Sequence, residues 1–151
     1  MPQSLSNVLV HIVFSTKERR AFLQNAELRD EMHHYLGGIS KNLDCPPVRV
    51  GGTADHVHLL ARQSRTITLA DWIKELKRGS SLWIKEKDPL LEGFHWQAGY
   101  GAFSVSQSQS GRVDEYIAHQ EEHHRTVPFE DEFRVLLKKH GIECDERYVW
   151  D

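Results

Sequence analysis

Residues 47–61, Pro-Val-Arg-Val-Gly-Gly-Thr-Ala-Asp-His-Val-His-Leu-Leu-Ala, decide how the chain is arranged. Pro46 and Pro47 break the preceding pattern, Val48-Arg49-Val50 reads as a short strand, and Gly51-Gly52 runs it into a turn. A second strand begins almost at once and spans His56 to Ala61. Its residues alternate, with His56, His58 and Leu60 on one face and Val57, Leu59 and Ala61 on the other. Two adjacent strands with helical sequence on either side form the middle of a strand, helix, strand, strand, helix, strand order.

The flanks complete that order. On the N-terminal side, Leu28, Met32, Leu36 and Ile39 recur at spacings of four, four and three, predicting a helix from Asn25 to about Asn42. Ahead of it the β-branched run Val8 to Phe14 reads as a central strand. On the C-terminal side, Thr68 is a candidate N-cap for a helix that buries Leu69, Trp72, Ile73, Leu76 and Trp83 and ends at Asp88-Pro89. Residues 94–107, rich in aromatics and glycine, predict one or two strands. The polar stretch Ser106 to Gly111 then opens a third helix, with Asp114 and Glu115 in its first turn, running to about Thr126. Pro128 interrupts, and Phe133, Leu136 and Leu137 mark a fourth, short helix closed by Gly141. The expected fold is α+β: a ferredoxin-like or RRM-like antiparallel sheet with helices on one face plus C-terminal helices, in one domain over 1–151. The other face of the sheet is expected to be free for function.

Composition narrows the function classes. A chain of 151 residues with 39% hydrophobic and 27% charged residues is an ordinary globular protein, and its lack of a long apolar run excludes a membrane span. The N-terminal stretch does not read as a secretory signal, so the cytoplasm is the expected location. Cys45 and Cys144 show no metal-site or disulfide spacing. Net charge is −3, but it is unevenly spread: residues 1–87 carry +4 and residues 88–151 carry −7. An anionic partner would meet the first half, where Lys74, Lys77 and Arg78 cluster on a predicted helix; a solvated helix face explains the same cluster.

Ten histidines are the stronger anomaly. His56 and His58, two apart on a strand, place their imidazoles on one face about 7 Å apart, a spacing that can chelate one ion. Two histidines leave coordination positions open for a third ligand and for substrate, the arrangement of a catalytic ion. On the third helix, Tyr116 and Gln120 lie one turn apart, close to His119, His123 and His124. Either this is a reactive polar stripe, or Val113, Ile117 and His124 face the core and the rest is solvated. His119 with His123 is a rival metal pair that lacks an obvious acid.

The residues Asp55-His56-Val57-His58-Leu59-Leu60, followed by Tyr116-Ile117-x-x-Gln120 and His123-His124, resemble the single-tyrosine HUH transposases of small bacterial insertion sequences. The similarity also takes in Phe14-Ser15-Thr16-Lys17, Leu76-Lys77-x-Gly79-Ser80-Ser81 and Trp96-Gln97-x-Gly99-Tyr100. It implies that His56, His58 and Gln120 bind a divalent ion, Mg²⁺ or Mn²⁺, and that Tyr116 is the nucleophile that cleaves and rejoins single-stranded or hairpin DNA through a 5′-phosphotyrosine. It also implies a homodimer in which the tyrosine helix serves its own or the partner's histidine pair; Ser106 to Gly111 is a candidate hinge for that exchange. Lys74, Lys77 and Arg78 are then the candidate DNA contacts. Competing readings are an RRM-like nucleic-acid-binding module without catalysis, a metal-dependent hydrolase using His56 and His58 with Asp55, and an inactive hairpin-binding descendant of a transposase. His11, His33, His34, His95 and His140 receive no role.

Overall fold

A computed structural model describes residues 2–151. Strand β1 (Leu9–Ser15) leads through a 3₁₀ turn at Lys17–Arg19 to helix α1 (Ala26–Asn42), whose N-cap Asn25 accepts from Leu28 N as a capping side chain should. Strands β2 (Pro47–Gly52) and β3 (His56–Arg62) follow, then α2 (Leu69–Lys87), capped by Thr68 and stopped before Pro89. Strand β4 (Gly101–Val105) completes the sheet. The order across it is β2-β3-β1-β4 with every pair antiparallel, the ferredoxin-like topology that the middle strand pair predicts.

Alternation along the strands sorts the two faces. Val10, Ile12 and Phe14 of β1 and Val57, Leu59 and Ala61 of β3 meet α1 and α2 in the main core, with Met32, Leu36, Trp72, Ile73, Leu76 and Ile84 from the helices. Each such large side chain removed from water stabilises the fold by roughly 1.5–3 kcal/mol. The indoles buried there keep their N–H groups satisfied: Trp72 donates to Ser40 Oγ and Trp96 to Ser80 Oγ.

The opposite face is not free. Helix α3 (Ser110–Ala118), the four-residue α4 (Gln120–His123) and α5 (Phe129–Lys139) cover it, burying Leu9 and Leu60 against Ile117, and Val13 against Phe103, Phe129 and Phe133. The apolar residues Leu9, Val13 and Leu60 on that face require such cover. Two boundaries also differ from expectation. The aromatic stretch 94–107 yields one strand and an isolated bridge, Trp96 to Thr16: Gln97 still bonds Ser15 of β1, but the carbonyls of residues 97–99 turn to the Lys77 ammonium and the chain loops before β4. The third helix ends at Ala118, since His119 leaves helical geometry (φ −107°, ψ 25°), and the chain restarts as α4. Within Ser106 to Gly111, Gln107–Gln109 form a 3₁₀ turn and Ser110 and Gly111 already belong to α3. Gly141 takes the left-handed conformation (φ +67°) just past α5, as a helix-closing glycine does.

Candidate active site

The site grows from the strand face that carries His56, His58 and Leu60. Both imidazoles are fully buried, and in β1, the neighbouring strand, His11 shares their face and is buried too. Three buried rings in an apolar layer need partners, and each has one. His11 Nε2 lies 2.7 Å from His58 Nδ1, which orients that ring. His56 Nδ1 lies 2.8 Å from Asp55 Oδ1, the usual carboxylate that fixes a tautomer with the proton on Nδ1. The Nε2 lone pair then faces Gln120 Oε1 at 3.0 Å, two acceptors that a cation between them satisfies.

Gln120 reaches this point because Gly51 lets α3 approach β2 closely. A Cβ at Gly51 would lie 2.5 Å from the Ile117 carbonyl oxygen, so no other residue fits without displacing the helix. Tyr116, one turn earlier, turns its ring toward His11 and His58, with centroids 6.3 and 5.8 Å away. Tyr116, His56, His58 and Gln120 therefore lie together on one face of the sheet.

The residue that joins them is Glu132 of α5, only 3% exposed. Its carboxylate accepts from the Tyr116 hydroxyl and, at 3.1 Å, from Gln120 Nε2, and lies 3.0 Å from His58 Nε2. His124 Nε2 is also 3.0 Å from it but off the axis of a hydrogen bond, which leaves that buried nitrogen without one among the described residues. One ligand atom each from His56, His58, His124 and Glu132 fall within 4.8 Å of one another. Atoms bound to one ion at roughly 2.0–2.2 Å can be no more than about 4.4 Å apart, so small shifts close this set around a divalent cation. The orphaned His124 nitrogen and the opposed acceptors on His56 and Gln120 both fit such an ion.

Electrostatics follow from burial. Removal from water pushes His58 down to about 4, so its ring is neutral and able to ligate at neutral pH, and it holds His11 well below the ordinary imidazole value as well. Burial works to raise Glu132, but contact with His124 and His58 outweighs it and keeps the carboxyl ionised. His124 moves up, since the Glu132 carboxylate overcomes the effect of burial. Burial and the Glu132 charge together push the Tyr116 phenol well above its ordinary value, so it rests as a hydroxyl.

Glu132 and His11 are the residues missed by sequence reasoning. The signal for Glu132 is its place on the stripe Phe129, Glu132, Phe133, Leu136, Leu137, an acid on the buried side of a helix. For His11 it is a polar ring inside a run of apolar strand residues.

The predicted basic contacts lie elsewhere. Lys74, Lys77 and Arg78 belong to α2, which packs on the far face of the sheet from the histidine pair. Lys77 is turned inward: its ammonium donates to the carbonyls of Gln97, Ala98 and Gly99 and sits over the Phe14 ring, and burial pushes it down to about 8. Arg78 pairs with Glu75 on the surface, and Lys74 is exposed.

An antiparallel α+β sheet with a His-x-His pair on a central strand, and a tyrosine on a following helix turned toward that pair, is the arrangement expected of an HUH-type transposase. The family model described as transposase IS200 like matches residues 4–120, and the chain belongs to that family. Two solved structures share the fold. A candidate transposase from Deinococcus radiodurans R1 is 24% identical with a TM-score of 0.65, over 80% of this chain and 95% of that one. A REP-associated tyrosine transposase bound to a REP hairpin is 12% identical with a TM-score of 0.61, over 84% of this chain and 74% of that one. No curated protein matches. Helix α5 and Glu132 lie beyond the residues that the family model matches.

Proposed function

We propose that the protein cleaves and rejoins single-stranded DNA through Tyr116, with a divalent ion held by His56, His58 and Gln120 and, from the structure, by His124 and Glu132. The observation that carries this reading is the single carboxylate of Glu132 touched at once by the Tyr116 hydroxyl, His58 and Gln120, which supports a tyrosine nucleophile working beside a metal-ligating cluster. These residues would hold the ion where it could neutralise and polarise the scissile phosphate. A donor set of imidazoles with one carboxylate and one amide favours Mn²⁺ over Mg²⁺.

The chain's own groups account for the protons. Tyr116 forms the new bond to phosphorus while its proton passes to Glu132; the bond from phosphorus to the 3′ oxygen breaks, and Glu132 returns that proton to the departing oxygen, so the step closes with no net gain or loss of protons. The DNA 5′ end stays on tyrosine as a phosphodiester, so a second 3′ hydroxyl can reverse the step without a nucleotide cofactor. A DNA hairpin is the proposed recognition element, by likeness to the REP-associated relative, with Lys74 and Arg78 available to its phosphates and Lys77 shaping the 97–99 loop. The working form is proposed to be a cytoplasmic homodimer.

The test is adduct formation. A labelled single strand that carries the chain's own flanking DNA is expected to run as a protein adduct with the native chain, and Tyr116→Phe is expected to abolish the adduct while hairpin binding persists. His56→Ala, His58→Ala or EDTA should also suppress cleavage. The cluster of three histidines and a carboxylate favours one second reading, a metal-dependent hydrolase. In that case Tyr116→Phe would leave metal-dependent turnover standing, and no adduct would form with any variant.

A further inference from the structure

One cavity opens beside the ion-binding cluster and shares Glu132 with it. It is a cleft of about 780 Å³ between β4, α3 and α5, with Tyr116, Glu132 and His11 at its floor. That volume is within the roughly 300–1,000 Å³ of pockets that hold small organic molecules. One side of the cleft is apolar, formed by Phe103, Val113, Val135 and Leu136, and the His140 ring lies on Phe103 with centroids 4.6 Å apart at 30°. Arg112 from α3 and Lys139 from α5 also line the cleft.

Charge sets this cleft apart from the rest of its half of the chain. Residues 88–151 carry a net −7, yet among the described residues the only acid lining the cleft is Glu132, which is buried and already engaged. The other arginines nearby are neutralised: Arg134 pairs with Asp131 and Glu146, and Arg147 with Asp145. Arg112 and Lys139 are exposed and make no ion pair among the described residues. Two cations that make no ion pair among the described residues, on a cleft with apolar lining, suit a ligand that alternates flat rings with phosphates.

We propose that this cleft is a subsite for one or two unpaired nucleotides of a single-stranded DNA, those flanking the phosphate that Tyr116 attacks. The bases lie against Phe103, Val135 and Leu136, and Arg112 and Lys139 take the neighbouring phosphates. The inference rests on the proposed DNA chemistry and deepens it. A nucleotide reaches the floor of a concave cleft only when it is out of the duplex stack, so the subsite selects single strands. Lys139, Val135 and Leu136 come from α5, outside residues 4–120, so this chain supplies that wall from outside the segment its family model matches.

The test is fluorescence anisotropy with labelled oligothymidylate across a salt series, using the full chain. Each phosphate contact to a single strand contributes a slope of about −0.7 in log affinity against log salt. The paired change Arg112→Gln with Lys139→Gln is expected to flatten the slope by about 1.4 and to weaken binding about tenfold or more at low salt. Val135→Glu, at a side chain that is 66% exposed and so safe for folding, is expected to weaken binding too. Lys138→Gln, one residue away and outside the cleft, should leave it unchanged, and the same strand annealed to its complement should not compete. A native affinity and slope in the paired variant would overturn the subsite. If binding follows the cleft variants but no tyrosine adduct ever forms, the subsite stands and the cleavage chemistry fails. If the native chain binds no single strand, both fail.

Discussion

Glu132 is the acid on which the site's polar side chains converge. The glutamine variant keeps the size and one acceptor oxygen but removes the charge next to Tyr116, His58 and His124. Glu132→Gln is therefore expected to lower Mn²⁺ affinity about tenfold to a hundredfold, as loss of a ligand or its direct support does, and to slow cleavage more than DNA binding. It should also lower the Tyr116 phenol toward its ordinary value, since the Glu132 charge helps to raise it. Calorimetric Mn²⁺ binding and ultraviolet titration of the phenolate read the two effects separately. An unchanged Mn²⁺ affinity would remove Glu132 from the ligand set and leave it as the acceptor of the tyrosine proton alone. The residue was hard to see in sequence because Glu130, Asp131 and Glu132 together read as an acidic first turn that complements a helix dipole. Only the stripe of Phe129, Phe133 and Leu137 on either side marks the third of them as the buried one.

Elements were more legible than their contacts. Alternation in β3 and the spacing of α1 and α2 define the strand order and the main core, because a buried face imposes its period directly on the sequence. What covers the histidine face was not legible, since it depends on two short helices after a break at His119 folding back over the sheet. Helix α3 holds its place through Gly51, which makes that glycine a sharp test of whether the Tyr116 helix must dock on β2. In Gly51→Ala the new methyl would collide with the Ile117 carbonyl and its Cγ2, at 2.5 and 2.8 Å. The expected cost is about 1–3 kcal/mol of stability, with adduct formation falling further than the loss of folded protein explains. Gly38→Ala is the matched control: a Cβ there meets nothing within 4 Å, and an alanine in mid-helix is expected to stabilise by about 0.5–1 kcal/mol. Urea midpoints and adduct yields for the two variants separate docking of α3 from general stability. Equal adduct yields from the two would show that α3 need not sit on β2 for cleavage.

At the scale of the whole molecule, the question is which histidine pair each tyrosine serves in the proposed homodimer. Within one chain Tyr116 is already joined to its own His58 through Glu132, while Ile117 is buried against Leu9 and Leu60. Ser106 to Gly111, polar enough to be a hinge, is instead wound into a 3₁₀ turn at Gln107–Gln109 and the first residues of α3. Exchange of α3 between subunits would have to expose Ile117, separate Tyr116 from Glu132 and unwind that turn, against which a partner's site offers only the same contacts again. Sites completed within one chain are therefore the expected state. Tyr116→Phe and His56→Ala, each inactive alone, should stay inactive when mixed and allowed to re-equilibrate as dimers, because no site then holds both a tyrosine and an intact histidine pair. Recovery of adduct approaching a quarter of the native yield would show that α3 does cross, and would place the energy for that exchange in the DNA that the two subunits hold between them.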